Sequence, residues 1–167
     1  DKPVLVVGNP PDNWGEDGRI VWMLRTLGHK RVALVNGGYR AVIKSGGSSS
    51  NTEVKPGSGD FEPQRTDSWS IERESLREYL DQVSGDVVIV DTRSRTEYEG
   101  NPKYGEDRPG HIPGAKHLHY TELLDENGRL LPESKIMKRL KKLGITKDKR
   151  VISYCTGGVR SAWLTVV

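Results

Sequence analysis

Val87-Val-Ile-Val90 is a continuous apolar run with no polar alternation, the pattern of a strand covered on both faces in a parallel sheet. A second run, Val151-Ile-Ser-Tyr154, reads as another buried strand and stops at Cys155, the only cysteine. Parallel strands cannot be joined by tight hairpins, so the helical patterns between such runs imply an α/β protein with a parallel central sheet flanked by helices. In open sheets of this kind ligands bind beyond the carboxyl ends of the strands. Asp91-Thr-Arg93 and Cys155 are delivered there, so position alone makes them pocket candidates.

The stretch Cys155-Thr156-Gly157-Gly158-Val159-Arg160 joins the second run to a helical pattern expected to begin at Ser161. A loop entering a helix presents unpaired N–H groups and the positive end of the dipole, which favours an anion. Gly157 and Gly158 allow the backbone to curl into a nest of inward N–H groups, and Arg160 adds a charge that does not titrate away. Cys155 lies at the base of that nest, where a thiol loses its proton more readily than in water. The bland alternative is a small buried hydrophobe at a strand end; the two glycines, the arginine and the helix start favour the reactive thiol. For Asp91 and Arg93 the preferred reading is an ion pair that pins the loop, with Arg93 also a candidate for the substrate pocket.

Cys155-Thr-Gly-Gly-Val-Arg160, Val90-Asp-Thr-Arg93 and Gly110-His-Ile-Pro-Gly-Ala115 together resemble the rhodanese sulfurtransferases, with the three motifs in that family's order. The resemblance implies a rhodanese-like fold, a cysteine that carries sulfane sulfur as a persulfide, no metal or organic cofactor, and a structural role for His111 and its motif. It implies Cys155 as the catalytic residue, Thr156, Gly157, Gly158, Val159 and Arg160 around the substrate, and Asp91 and Arg93 as architecture near the site, with Arg93 kept as a substrate-pocket candidate by its position. The partners implied are a small anionic sulfur donor such as thiosulfate and a cyanide, thiol or protein acceptor. Glu97 stands where some eukaryotic members carry an arginine near the substrate. The Cdc25-like and tyrosine phosphatases share the strand, loop and helix but place five residues between cysteine and arginine. Four intervene here, which suits a sulfur-bearing group better than a phosphate. A phosphatase or arsenate reductase is the weaker enzymatic alternative, and a non-catalytic binding or redox-sensing module is the third.

Residues 1–44 read strand, helix, strand, helix: Val4 to Val7, a helix from Arg19 closed by Gly28 and His29, Arg31 to Val35, and Tyr39 to Ile43. Trp22 to His29 and Val35 to Tyr39 resemble the second half of a rhodanese domain, and the loop after its first strand has no cysteine. The segment is therefore expected to be the tail of a non-catalytic repeat. Residues 45–60 are almost all Gly, Ser and polar and are expected to be a flexible linker. Residues 61–167 are then the catalytic domain, with its C-terminal part expected to be incomplete. His29, beside a helix end, is expected to be structural.

Within 61–167 a helix is expected from Ser70 through Leu76, Tyr79, Leu80 and Val83, an exposed excursion from Thr96 to Pro109, a strand from Ala115 to Leu118, and a helix entered at Pro132. That last helix has Ile136, Met137, Leu140 and Leu143 on one face and lysines and an arginine on the other. Such a basic face is most often simply solvated.

The 167 residues carry 26 basic and 23 acidic side chains, a net charge of +3, with no basic block interleaved with aromatics, so nucleic acid is not the favoured partner. One cysteine excludes an intrachain disulfide. A reduced compartment, the cytoplasm, is the simplest home for a working thiol. No apolar stretch approaches about 18 residues, so no membrane span is expected.

Overall fold

The structure, a computed structural model, describes residues 2–81 and 85–167. The chain begins with β1 (Val4–Val6), α1 (Glu16–Thr26), β2 (Val32–Leu34) and α2 (Gly38–Lys44). It continues with α3 (Arg73–Asp81), β3 (Val87–Asp91), α4 (Arg95–Tyr98), β4 (Lys116–His117), a 3-10 turn (Tyr120–Leu123), α5 (Glu133–Lys142), β5 (Arg150–Tyr154) and α6 (Val159–Val166). All strand pairing within these elements is parallel: β1 pairs with β2, and β3 lies between β4 and β5. The expected α/β architecture is the observed one. The stretch 48–60 carries no regular element and is exposed.

Side chains alternate across β3 as a strand requires. Val90, with Val88 beside it, packs into a cluster of Leu118, Tyr120, Leu123, Ile145 and Trp163, against which Ile136, Leu140 and Leu143 of α5 and its C-cap close. Ile89 faces the other way, with Ile152 and Ala115, and is covered by Leu76 and Tyr79 of α3. Both faces of the central strand are thus apolar, which is why its sequence shows no alternation. Val83, expected on the face of α3, lies outside the described residues. Met137, expected on the apolar face of α5, is exposed.

Three expectations are corrected. Helix α1 begins at Glu16 rather than Arg19: Gly15 takes a left-handed φ of 86° as N-cap, and Glu16 and Asp17 suit the positive end of the dipole in the first turn. Helix α6 begins at Val159 rather than Ser161, again after a left-handed glycine, Gly158, so Arg160 belongs to a helix and not to a loop. The stretch from Thr96 is not all exposed excursion. Ser94 and Glu97 form a reciprocal capping box around α4, and Glu97 is buried.

The first 44 residues do not sit apart. Helix α1 crosses α6 so closely that a Cβ on Gly18 would lie 2.5 Å from the Trp163 Cα and one on Gly15 2.8 Å from its Cβ. Trp163 is consequently 2% exposed and meets Tyr120 edge-on, with ring centroids 5.7 Å apart. The Tyr120 hydroxyl donates to the Asn13 carbonyl, and the Leu130 N–H donates to Asn36 Oδ1 at 2.8 Å. His29 is buried at the far end of α1, against the Phe61 ring.

Two predictions follow from this packing. Gly to Ala inside a helix ordinarily stabilises by up to about 1 kcal/mol. At Gly18 the added carbon meets backbone, so Gly18→Ala is expected to destabilise by about 1–3 kcal/mol in urea titration. Asp17 is 3% exposed; its Oδ1 accepts from the Gly18 N–H at 2.9 Å while Oδ2 has no partner. Burial raises its carboxyl above the ordinary range, against the pull of that N–H. A carboxyl raised in the folded state favours folding below its unfolded value, and that contribution is lost as pH rises through the folded value. Asp17→Asn is therefore expected to melt at or above wild type at pH 7, with the gain shrinking as the solution is taken to pH 4.

Candidate active site

Strand register brings the two candidate loops together. Asp91 is paired with Tyr154, and both the N–H and the hydroxyl of Thr92 donate to the Tyr154 carbonyl, at 3.0 and 3.1 Å. The Asp91-Thr-Arg93 segment and the Cys155 loop therefore leave neighbouring strands at the same edge.

Around Cys155 the backbone turns inward. Gly158, at φ 77°, aims its N–H at the Cys155 Sγ, 3.1 Å away. Gly157 uses no left-handed conformation and has open space beside it, so one glycine rather than two carries the curl. The Ser161 hydroxyl lies 3.6 Å from Sγ. Burial pushes the thiol up, but the Ser161 N–H and hydroxyl, the Gly158 N–H and the nearby Arg160 charge together hold it below the ordinary cysteine range. The half-buried Cys155 is thus biased towards thiolate by donors that hydrogen-bond the sulfur itself.

Arg160 lies where the sequence places it but points elsewhere. Its Nη1 donates to Glu97 Oε2 at 2.8 Å and its Nη2 to Glu97 Oε1 at 2.9 Å, and Nη2 also reaches the Thr156 hydroxyl at 3.4 Å. The Thr156 hydroxyl in turn donates to Glu97 Oε1 at 3.3 Å. Glu97, 2% exposed, is held far below the usual carboxylate range, first by the Arg160 hydrogen bonds and then, against its burial, by Ser94. Both its terminal nitrogens serve a carboxylate, and the pair ties the first turn of α6 to α4. Val159 opens α6, half-buried, while Thr156 and Gly157 are exposed at the mouth.

Arg93 is committed in the same way. Its Nε donates to both oxygens of Asp91, at 3.0 and 3.1 Å, and its Nη2 donates to Asp91 Oδ2 and to the Gly110 carbonyl, each at 2.6 Å. Asp91 is fully buried, and Asp91 Oδ1 also accepts the Arg93 N–H at 2.9 Å. Burial raises the Asp91 carboxyl, yet the Arg93 bonds outweigh it and the net direction is down. The pair pins the return of the chain at Gly110. His111 lies on the outside of that return, its ring stacked on Tyr98 at 3.7 Å between centroids and its Nδ1 donating to the Tyr98 carbonyl at 2.8 Å. His111 thus holds the return in place, and it makes no bond to Cys155.

Sequence reading missed three participants. Ser161 stands directly after the arginine, and a helix beginning at Val159 would have placed its N–H towards the sulfur. Glu97 was signalled by the Ser94-x-x-Glu97 capping box. Arg19 of α1, which donates to the Gly158 carbonyl at 3.3 Å across 139 residues, had no local signal.

Residues 73–166 match the Rhodanese-like domain. The chain belongs to this family. It is 30% identical over 171 residues to the sulfur carrier protein TtuD of Thermus thermophilus, covering 97% of this chain and 59% of that protein. It is 33% identical over 147 residues to the thiosulfate sulfurtransferase of Azotobacter vinelandii, covering 88% of this chain and 53% of that protein. The chain thus spans little more than half the length of these relatives. The structure superposes on SseA from Escherichia coli, a 3-mercaptopyruvate sulfotransferase with the rhodanese fold, with a TM-score of 0.82, 26% identity, and coverage of 99% of this chain and 61% of that one.

Removing one partner of a buried ion pair leaves the other charge stranded. Glu97→Ala is expected to cost about 3–5 kcal/mol in guanidinium unfolding, and Glu97→Gln, which keeps one acceptor for Arg160, measurably less.

Proposed function

We propose that the protein is a sulfurtransferase that carries sulfane sulfur on Cys155. The observation that carries this reading is the thiol itself, hydrogen-bonded by the Gly158 N–H and lowered by the Ser161 and Gly158 donors at the mouth of a sheet. The relatives named as thiosulfate sulfurtransferase and sulfur carrier supply the reaction class.

The Cys155 thiolate attacks the outer sulfur of thiosulfate or a similar donor. The S–S bond of the donor breaks, sulfite leaves with the electron pair, and Cys155 is left as a persulfide anion. An acceptor, cyanide or a thiolate, then attacks the terminal sulfur and the Cys155 thiolate is regenerated. Arg160 and Arg93 are held by carboxylates, so the negative charge of donor and persulfide falls to the loop N–H groups and the N-terminal end of α6. In this reading Arg160 and Glu97 position the loop, Asp91 and Arg93 fix its neighbour, and Thr156, Gly157 and Val159 shape the mouth.

Residues 1–44 are read as part of a non-catalytic repeat, 45–60 as a linker and 61–167 as the catalytic unit. The separate two-stranded sheet β1–β2 and the thiol-free loop after β1 support that division, across which α1 packs on α6.

Incubation with thiosulfate followed by intact-mass spectrometry is expected to add one sulfur atom to the wild type and none to Cys155→Ser. Cyanide should then remove it as thiocyanate. A thiol that stays alkylatable yet takes up no sulfur from thiosulfate or 3-mercaptopyruvate would sink the assignment.

A further inference from the structure

Gly158 does two things with adjacent peptide groups. Its N–H is bonded to the Cys155 Sγ at 3.1 Å, and its C=O, shared with the Ala162 N–H of α6 at 3.3 Å, receives Nη1 of Arg19, also at 3.3 Å. Arg19 lies on α1, in the segment without a cysteine. Its guanidinium carbon rests 4.4 Å above the Trp22 ring, and the Trp22 indole N–H is anchored on the Trp69 carbonyl at 2.7 Å. The head of Arg19 is thereby given a shelf that limits its rotamers before it meets the loop. A Cβ on Gly158 would lie 3.0 Å from Arg19 Nη1, so the space a side chain would use is the space the guanidinium fills.

A left-handed glycine at the start of a helix has an easy alternative. Rotating its φ and ψ swings both flanking peptides and breaks the N–H bond to Sγ and the Ala162 N–H bond to the carbonyl. A donor fixed on the Gly158 carbonyl opposes that rotation and so keeps the N–H aimed at Sγ. The shelf is built by Trp22 and Trp69, and the loop belongs to β5 and α6, so the restraint reaches the thiol from elements distant in the sequence.

We propose that Arg19 is a positioning residue for the reactive thiol, holding the Gly158 peptide so that its N–H serves the Cys155 sulfur. The proposal deepens the sulfur-transfer reading by assigning a second segment of the chain to the same site. It concerns ionisation of Cys155 and not the sulfur donor, so it is tested separately from that reading.

The experiment is the pH profile of Cys155 alkylation by iodoacetamide, read by mass spectrometry on the full chain, with melting followed by circular dichroism. Arg19→Gln is expected to alkylate about three- to tenfold more slowly than wild type at pH 7, as a weakened donor raises the thiol, with the two rates meeting above about pH 10. Arg19→Lys, which retains a charged donor, should recover part of that loss. Arg19→Met keeps the stem on Trp22 without any donor, and it takes the place of Arg19→Gln if the latter fails to fold. A folded Arg19→Gln or Arg19→Met protein whose profile superimposes on wild type would overturn the proposal. So would an Arg19→Lys protein as slow as Arg19→Gln, because the effect would then not come from a donor at the Gly158 carbonyl.

Discussion

The Glu97–Arg160 ion pair is the constraint on which the site depends. It is buried and bidentate and joins the helix that follows β3 to the first turn of the helix that follows β5. Burying two charges has a large desolvation cost, and an apolar pair of the same volume would usually serve stability as well. What an apolar pair could not do is fix direction. The fork of Arg160 meets both oxygens of Glu97, the Thr156 hydroxyl bridges the two, and both ends of the loop that carries the Gly158 N–H to the sulfur are thereby tied. The carboxylate also cancels most of the guanidinium charge. Stabilisation of the thiolate is thereby passed to short-range dipoles, which act on an atom at the base of the loop and less on anions in bulk solvent.

The second constraint is the contact of α1 with α6. Gly18 of α1 and its N-cap Gly15 admit Trp163 to a depth at which any side chain would collide with it. Trp163 is three residues beyond Arg160 on α6, so the depth of that packing sets where the helix start, and with it the anion-facing N–H groups, comes to lie. A stable core and a positioned loop are the same geometric fact seen from two ends of one short helix.

Much of this was legible. The apolar runs at Val87 and Val151 are the parallel pair β3 and β5, although Val151 itself is exposed, and a candidate site at their ends follows from where open α/β sheets hold ligands. The Cys155 loop is readable because a cysteine, two glycines and an arginine follow one another between a strand pattern and a helix pattern. Partners were less legible. Glu97 lies 63 residues from Arg160, in a stretch whose polarity reads as surface. Only its capping relation to Ser94 hinted that its carboxylate was organised. Arg160 shows in the sequence as a positive charge near a candidate site, and the carboxylate it meets does not show. The boundary at Val159 was misplaced for a related reason: a glycine in left-handed conformation can start a helix earlier than the apolar periodicity shows.

The same local design occurs twice in the chain with opposite chemistry. Strand β1 leads through a loop to Gly15, left-handed, and then α1; strand β5 leads through a shorter loop to Gly158, left-handed, and then α6. Two residues after each glycine stands a buried charged side chain, Asp17 in the first and Arg160 in the second. In α1 the aspartate turns on its own helix and takes the Gly18 N–H, so the helix start is already occupied by a carboxyl group of the protein's own. In α6 the arginine turns away to Glu97 and leaves the N–H groups of Gly158 and Ser161 for the sulfur. A helix start is an anion site only while nothing in the chain has claimed its donors. The buried side chain two residues past each glycine therefore separates a helix end whose donor is taken by its own helix from one whose N–H groups face a sulfur.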